Sequence, residues 1–258
     1  NLNCIGCSHF STLAPEQFID IEKYEDDCKR IAVLSGGDIR HINLLGGEPL
    51  LNPHLTDIIK ISRSYFPECT IRIVTNGLLL KNQPDEFWEC CRINNVIIAI
   101  SVYPVNIDYN FIFSKMEKHN VQIAFATDSK FLSKGDKELP FDHHDIKWRK
   151  VPIDIGGGQN PSKSNALCTM TPCYQLVEGK ICKCPRVAYV KFFNSYFNVN
   201  LKVTEDDYID IYEAKTIDEI QNKLRKPVPF CRYCNMDGQP QYIKWKTTKK
   251  EISEWADS

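Results

Sequence analysis

The stretch Leu44-Leu45-Gly46-Gly47-Glu48-Pro49-Leu50 decides how the first part of the chain folds. It follows a short apolar run and precedes a helical pattern, so it predicts a turn at the C-terminal end of a β-strand. Two adjacent glycines let a ligand approach the backbone closely, and the Glu48 carboxylate offers an acceptor for an ammonium group. The stretch therefore predicts a ligand site at the end of a parallel strand.

Strand and helix patterns alternate around this stretch, from about Ile19 to Ile153. Such alternation is typical of a parallel sheet built from βα units. Strands rich in Ile and Val are predicted at Ile39–Leu45, Thr70–Thr75, Asn95–Val102 and Val121–Thr127, with a weaker one at Ile146–Ile153. Helices are predicted at Ile19–Leu34, Pro53–Tyr65, Pro84–Cys91 and Tyr109–His119.

The pattern changes after Ile153, where three glycines begin a turn-prone segment that runs to Ser162. We expect a domain boundary there, which gives domains at residues 1–155 and 156–258. The second domain contains a hairpin signal at Glu178-Gly179 and a short helix over Ile217–Leu224. Thr216 and Glu219 have the spacing of a capping box for that helix.

Composition and charge exclude several classes of protein. The 258 residues are 43% hydrophobic and 25% charged, which is ordinary for a globular protein with a sizeable core, and the formal net charge is −1. This charge argues against nucleic-acid and membrane partners. The chain shows neither a spanning apolar stretch nor the order of a secretory signal, so we expect a cytoplasmic protein.

The chain contains twelve cysteines, an unusual number. A cytoplasmic setting argues against disulfides, which leaves metal ligands and buried thiols. Cysteines that stand among helical or strand patterns are predicted to be core thiols or helix-face residues, whereas clustered ones are candidate ligands. The first set is Cys28, Cys69, Cys90 and Cys91, and the clustered set is Cys4, Cys7, Cys168, Cys173, Cys182, Cys184, Cys231 and Cys234. His143 and His144 are not predicted as ligands, because adjacent side chains diverge on helices and strands.

Cys4 and Cys7, followed by the glycine stretch, give the chain a motif that resembles the radical S-adenosylmethionine superfamily. The family signature is Cys-x-x-x-Cys-x-x-Cys with a later Gly-Gly-Glu-Pro, and the resemblance runs from Asn1 to about Ile153. It implies that Cys4 and Cys7 hold a [4Fe–4S] cluster with a third cysteine immediately before Asn1, so we expect the chain to be truncated at its N-terminus.

The same resemblance implies the fold and the cofactor site. The fold class is α/β, a partial (β/α)6 TIM-like barrel of about six parallel strands followed by a small Cys-rich auxiliary-cluster domain. S-adenosylmethionine is expected to bind at Gly46, Gly47, Glu48 and Pro49, with Asn76 and Ser101 on the same rim.

The later cysteines flank the predicted hairpin and end in Cys231-Arg232-Tyr233-Cys234. Four thiolates suit zinc or an iron–sulfur cluster, so ligand chemistry leaves both open. The arrangement resembles the auxiliary module of SPASM or twitch type, which implies a second [4Fe–4S] cluster. The expected ligands are Cys184, Cys231, Cys234 and either Cys168 or Cys173, with Cys182 a bystander.

The two candidates for the first ligand differ in their position relative to the turn. Cys173 and Cys184 are nearly opposed across it, so we favour Cys173 and expect Cys168 to bind only if Cys231 or Cys234 is free.

The resemblance implies an oxidoreductase that reductively cleaves S-adenosylmethionine to a 5′-deoxyadenosyl radical, with the auxiliary cluster aiding oxidation. The radical would abstract hydrogen from a small hydroxylated, sugar-like molecule or from a peptide. A reductant such as flavodoxin or ferredoxin would supply the electron. The alternative from another class is a non-catalytic zinc-binding module on a barrel scaffold.

Overall fold

The computed structural model describes residues 1–125, 147–170, 172–236 and 241–256. The histidine pair at 143–144 lies outside these residues, as does the end of the predicted strand Val121–Thr127. The chain forms two compact units. The sheet unit is Phe18–Ile146, and the cysteine-rich unit combines Asn1–Gln17 with Lys147–Ser258.

This grouping differs from the expected division in its treatment of two segments. Residues 1–17 and 147–155 belong to the cysteine-rich unit, whereas the sequence predicted them to be part of the first domain. The domain limits 1–155 and 156–258 stay a prediction.

The described residues of the sheet unit form four parallel strands in the order β1-β2-β3-β4. The strands are β1 His41–Leu44, β2 Thr70–Thr75, β3 Val96–Ile100 and β4 Gln122–Phe125. The helices are α1 Ile21–Ser35, α2 Leu55–Tyr65, α3 Asp85–Ile93 and α4 Tyr109–His119. All eight elements were predicted within a few residues, and this mixed α/β arrangement fits a partial TIM-like fold.

Local chemistry explains these boundaries. The helix α1 begins after Asp20, whose side chain accepts a hydrogen bond from the Lys23 amide, and ends at Gly36 in the left-handed conformation. All five residues of β3 are buried, as expected for a strand covered on both faces.

The weaker strand prediction at Ile146–Ile153 was wrong about its sheet. Its described part forms β5 Lys147–Lys150, which pairs antiparallel with β9 Gln241–Lys244 in the cysteine-rich unit. Alternating side chains indicate a strand but carry no information about its partner. The parallel sheet of the described residues therefore has four strands and not about six.

The cysteine-rich unit is built around an antiparallel sheet of three strands. They are β6 Gln175–Val177, β7 Lys180–Cys182 and β8 Tyr208–Asp210, and the helices are α5 Pro161–Ala166, α6 Pro185–Phe197 and α7 Ile217–Arg225. Glu178 and Gly179 both have positive φ (50° and 77°), which confirms the predicted two-residue hairpin turn.

Half of the predicted capping box forms at α7. The Thr216 hydroxyl accepts from the Glu219 amide, but the Glu219 carboxylate accepts from the amide of Lys215 instead of Thr216.

The core of this unit joins the N-terminal segment to α6 and the C-terminus. Phe10 is fully buried against Phe193, and Phe193 packs edge-on against the buried Trp255. Within the described residues, no helix has the length and apolar character needed to cross a membrane.

Candidate cofactor and cluster sites

The C-terminal ends of β1, β2 and β3 lie at one edge of the sheet unit, because the strands are parallel. The sequence places its predicted cofactor residues there: Gly46, Gly47, Glu48 and Pro49 follow β1, Asn76 follows β2 and Ser101 follows β3. The Ser101 amide donates to the Thr75 carbonyl at 2.8 Å, which ties the ends of β2 and β3 together.

Glu48 connects the ends of β1 and β2. Its Oε1 accepts from the Thr75 hydroxyl at 2.6 Å and the Leu50 amide at 3.2 Å. Its Oε2 accepts from the backbone and side-chain nitrogens of Asn76. A carboxylate has about four acceptor positions, so this chain uses all of them at Glu48, which is only 6% exposed.

The backbone before Glu48 remains accessible. Gly46 and Gly47 are exposed, and a methyl group added at Gly46 would meet no atom within 4 Å. This open, side-chain-free backbone fits the close approach of an amino acid moiety such as that of S-adenosylmethionine. The binding roles of the six rim residues stay predictions.

Cys4 and Cys7 lie on a loop that the C-terminal segment holds in place. The Ile5 amide donates to the Lys246 carbonyl at 3.0 Å, and the Thr248 amide donates to the Asn3 carbonyl at 2.8 Å. Gly6 turns the loop at φ +61°, where a methyl group would lie 3.1 Å from the Glu254 carbonyl oxygen.

Two tryptophans donate hydrogen bonds to these cysteines. The Trp245 indole N–H lies 3.1 Å from Cys4 Sγ, and the Trp255 indole N–H lies 2.9 Å from the Cys7 carbonyl oxygen. Both thiols are half-buried, and neither is part of a disulfide. Hydrogen bonds to cluster thiolates are a common feature of iron–sulfur sites, so this donor set fits the cluster that the motif implies.

The second cysteine group surrounds the start of α6. Cys184 is the N-terminal cap of α6, and Cys231 and Cys234 lie at the 3-10 helix Pro229–Tyr233. The hairpin ladder ends at the pair Gln175–Cys182, and Cys173 and Cys184 each lie two residues beyond that pair.

Burial raises the pKa values of three thiols in this group. It raises the pKa of Cys184 to about 12, and the charge of Cys234 adds to this rise. Burial also raises the pKa of Cys231, to which Cys234 and Cys168 contribute, and the pKa of Cys173, to which Cys168 contributes.

The roles of the five predicted auxiliary ligands stay predictions. Among the described residues, no three Cys, His or acidic side chains are gathered tightly enough to hold a single metal ion.

Asp207 fixes the segment that carries the closing pair. This fully buried carboxylate accepts from the Phe230 amide at 2.6 Å, and its second oxygen accepts from the amide and hydroxyl of Thr204. Sequence spacing gave no signal for this contact, because 23 residues separate Asp207 from Phe230.

The predicted core thiols are confirmed. Cys28, Cys69, Cys90 and Cys91 are all buried in the sheet unit. Cys182, the expected bystander, is 5% exposed within the apolar core of the cysteine-rich unit.

Sequence reasoning missed two buried cations beside the auxiliary group, Lys183 and Arg186. It also missed Trp245 and Trp255, which lie more than 200 residues from the cysteines that they contact. The positions of Lys183 and Arg186 beside Cys184 were the available signal, since charged residues are rarely buried without a partner.

Comparisons with known proteins place the first part of the chain in a family. Residues 1–121 match the model of the radical SAM superfamily. A GTP 3′,8-cyclase of Chlorobaculum tepidum is 35% identical over 89 residues, which are 34% of this chain and 26% of that protein. A probable GTP 3′,8-cyclase of Archaeoglobus fulgidus is 33% identical over 90 residues, or 35% and 28% of the two chains.

A third relative, a GTP 3′,8-cyclase of Nautilia profundicola, is 34% identical over 83 residues, which are 31% of this chain and 26% of that protein. The chain thus spans about a quarter of the length of the curated relatives it matches. The family match contains Cys4, Cys7 and the Gly-Gly-Glu-Pro stretch and ends before most of the cysteine-rich unit. Residues 1–121, just under half of this chain, are thus similar to the radical SAM superfamily.

Proposed function

We propose that this protein is a radical SAM oxidoreductase that acts on a small hydroxylated or sugar-like molecule and uses an auxiliary [4Fe–4S] cluster. The observation that carries the proposal is the combination of a radical SAM sequence match with a second group of cysteines outside it, at the start of α6 and at the 3-10 helix Pro229–Tyr233. Chemistry of this class requires a [4Fe–4S] cluster and S-adenosylmethionine.

The bound cofactor and the reduced cluster together supply the carbon-centred radical that starts the reaction. The chain contributes binding and orientation. Cys4 and Cys7 hold the cluster, with Trp245 donating its indole N–H to Cys4 Sγ. Gly46 and Gly47 offer open backbone to the methionine moiety, and Glu48 fixes their position relative to the end of β2.

Residues of the cysteine-rich unit hold the auxiliary cluster in this proposal. Cys184, Cys231 and Cys234 are three of its ligands, and Cys168 or Cys173 is the fourth. The hairpin register favours Cys173, because the pair Gln175–Cys182 extended by two residues leads to Cys173 and Cys184. Such a cluster can take an electron from a substrate radical, which suits a net oxidation.

The similar proteins are named for a reaction of GTP, a molecule that contains a hydroxylated sugar. This likeness supports a small substrate over a peptide, but it covers only a third of this chain. We also propose that the protein works in a reducing, cytoplasmic compartment with flavodoxin or ferredoxin as reductant. The twelve cysteines all lie within the described residues and form no disulfide with one another, which agrees with such a compartment.

Metal analysis tests the auxiliary cluster. Full-length protein reconstituted without oxygen should hold about eight irons, as two four-iron clusters. Replacing Cys231 and Cys234 together by alanine should remove roughly half of this iron. The matched control replaces the core thiols Cys90 and Cys91, which should leave the iron content unchanged. One tightly bound zinc with no loss of iron in the first variant would favour the structural zinc module instead.

Isotope transfer tests the substrate class. Candidate sugars and nucleosides deuterated at carbon should pass deuterium into 5′-deoxyadenosine if they are substrates. Peptides with deuterated side chains should not do so. Deuterium transfer from a peptide alone would overturn the choice of a small substrate while leaving the radical SAM assignment intact.

A further inference from the structure

Two cations are buried beside the second cysteine group. Lys183 is 2% exposed and Arg186 is 4% exposed. They flank Cys184 in sequence, and Arg186 lies in the first turn of α6. Burying a charge is costly unless an opposite charge or a set of hydrogen bonds compensates it.

No carboxylate compensates either cation among the described residues. The Lys183 ammonium donates to the carbonyl oxygens of Leu224 and Lys226 near the end of α7. Arg186 donates through one terminal nitrogen to the Val151 carbonyl. These neutral acceptors satisfy hydrogen bonds but leave two positive charges in the interior without counterions.

A cysteine faces the charge of Arg186. Arg186 Nη1 lies 3.6 Å from Cys234 Sγ, while Arg186 Nε is buried with no hydrogen-bond partner in the described part of the chain. Lys183 directly precedes Cys184 in the sequence. Thiolates at Cys234 and Cys184 would supply the missing negative charge.

Buried cations also change the redox properties of any cluster that these cysteines bind. Reduction adds one electron, so the reduced form carries more negative charge than the oxidised form. Net charge and hydrogen bonds to the ligand sulfurs are among the main determinants of cluster potential. A nearby guanidinium stabilises the reduced form more, because an Arg side chain keeps its charge in proteins.

We propose that Arg186, supported by Lys183, is a positioning residue that compensates the charge of the auxiliary cluster and raises its reduction potential. The inference rests on the proposed function, because it requires that the cysteine group binds a cluster. A higher reduction potential makes this cluster a better electron acceptor. The directional N–H contact to Cys234 adds to the effect of the charge.

The test measures the midpoint potential of the auxiliary cluster by EPR-monitored redox titration of the full chain. Cys4→Ala and Cys7→Ala are present throughout, so that the auxiliary cluster alone gives the signal. Arg186→Gln should make the potential more negative, and Arg186→Lys should restore most of the difference. The matched control is Arg232→Gln, which removes an exposed cation next to Cys231 and should change the potential little, since water screens it.

The outcomes separate this inference from the proposed function. An iron-loaded Arg186→Gln protein with the parental potential overturns the inference and leaves the auxiliary cluster in place. Absence of any cluster in the parent overturns both. If Arg186→Gln fails to fold by circular dichroism, Lys183→Met replaces it and should also make the potential more negative. An unchanged potential in a folded Lys183→Met protein would then overturn the inference.

Discussion

Replacing Glu48 by Gln tests whether this side chain stabilises the edge of the sheet where β1 and β2 end. The carboxylate accepts four hydrogen bonds and donates none. A glutamine amide must present its NH₂ group to one of the two pairs of donors. The least costly orientation directs it at Thr75, whose hydroxyl can turn to accept, and leaves the Leu50 amide buried without a partner.

The expected cost follows from these contacts. An unsatisfied buried donor costs about 1–3 kcal/mol, and the exchange of charged for neutral hydrogen bonds adds about 1 kcal/mol. Together these give about 2–4 kcal/mol, which corresponds to a fall in melting temperature of roughly 5–15 °C. Binding of S-adenosylmethionine should weaken as well, because the Gly46–Gly47 backbone loses its anchor to β2.

The assay is thermal unfolding followed by circular dichroism, with Glu89→Gln as the matched control. Glu89 is exposed on α3 and pairs with Arg92 three residues later, so its replacement should cost less than about 0.5 kcal/mol. Equal melting temperatures for Glu48→Gln and Glu89→Gln would refute the stabilising role of the Glu48 hydrogen bonds.

Three further predictions concern the cysteine-rich unit. Gly6→Ala should lower the iron content of the N-terminal site, because the added methyl group would lie 3.1 Å from a carbonyl oxygen. The control is Gly36→Ala, which has a similar φ of +62° but open space around the added methyl group. It should lower the free energy of unfolding by about 1 kcal/mol and leave the iron content unchanged. Asp207→Asn should destabilise the unit by about 1–3 kcal/mol in chemical denaturation and lower auxiliary iron, whereas the exposed neighbour Asp206→Asn should do neither. Removal of iron by an anaerobic chelator should lower the melting temperature of the protein, because the buried Lys183 and Arg186 then lose the negative charge of the cluster. An unchanged melting temperature would contradict the proposal that the cluster compensates these two cations.

Much of the sheet unit could be predicted from the sequence, because its elements are local. Thr70–Thr75 and Tyr109–His119 form a strand and a helix with the predicted limits, since side-chain periodicity and end-capping residues lie within the elements themselves. The antiparallel pairing of β5 with β9 could not be predicted, because its partner is about 90 residues away and depends on packing.

The candidate sites also combine features that the sequence predicts with features that depend on the tertiary fold. Gly46, Gly47 and Glu48 follow β1, as the sequence predicts, because their spacing is a property of the sequence. The roles of Cys4 and Cys7 stay predictions. The hydrogen bonds by which Glu48 connects the ends of β1 and β2 could not be predicted from the sequence, since Thr75 lies 27 residues away. The choice between Cys168 and Cys173 depends on how the segment before β6 turns, which spacing does not determine.

The most direct test of the central claim is reductive cleavage of S-adenosylmethionine by the full-length protein. With dithionite and both clusters loaded, the protein should form 5′-deoxyadenosine, and Cys90→Ala should retain this activity because Cys90 is a buried thiol of α3. Cys4→Ala should fall to the level of the reaction without enzyme. Formation of 5′-deoxyadenosine by Cys4→Ala at the wild-type rate would contradict the account.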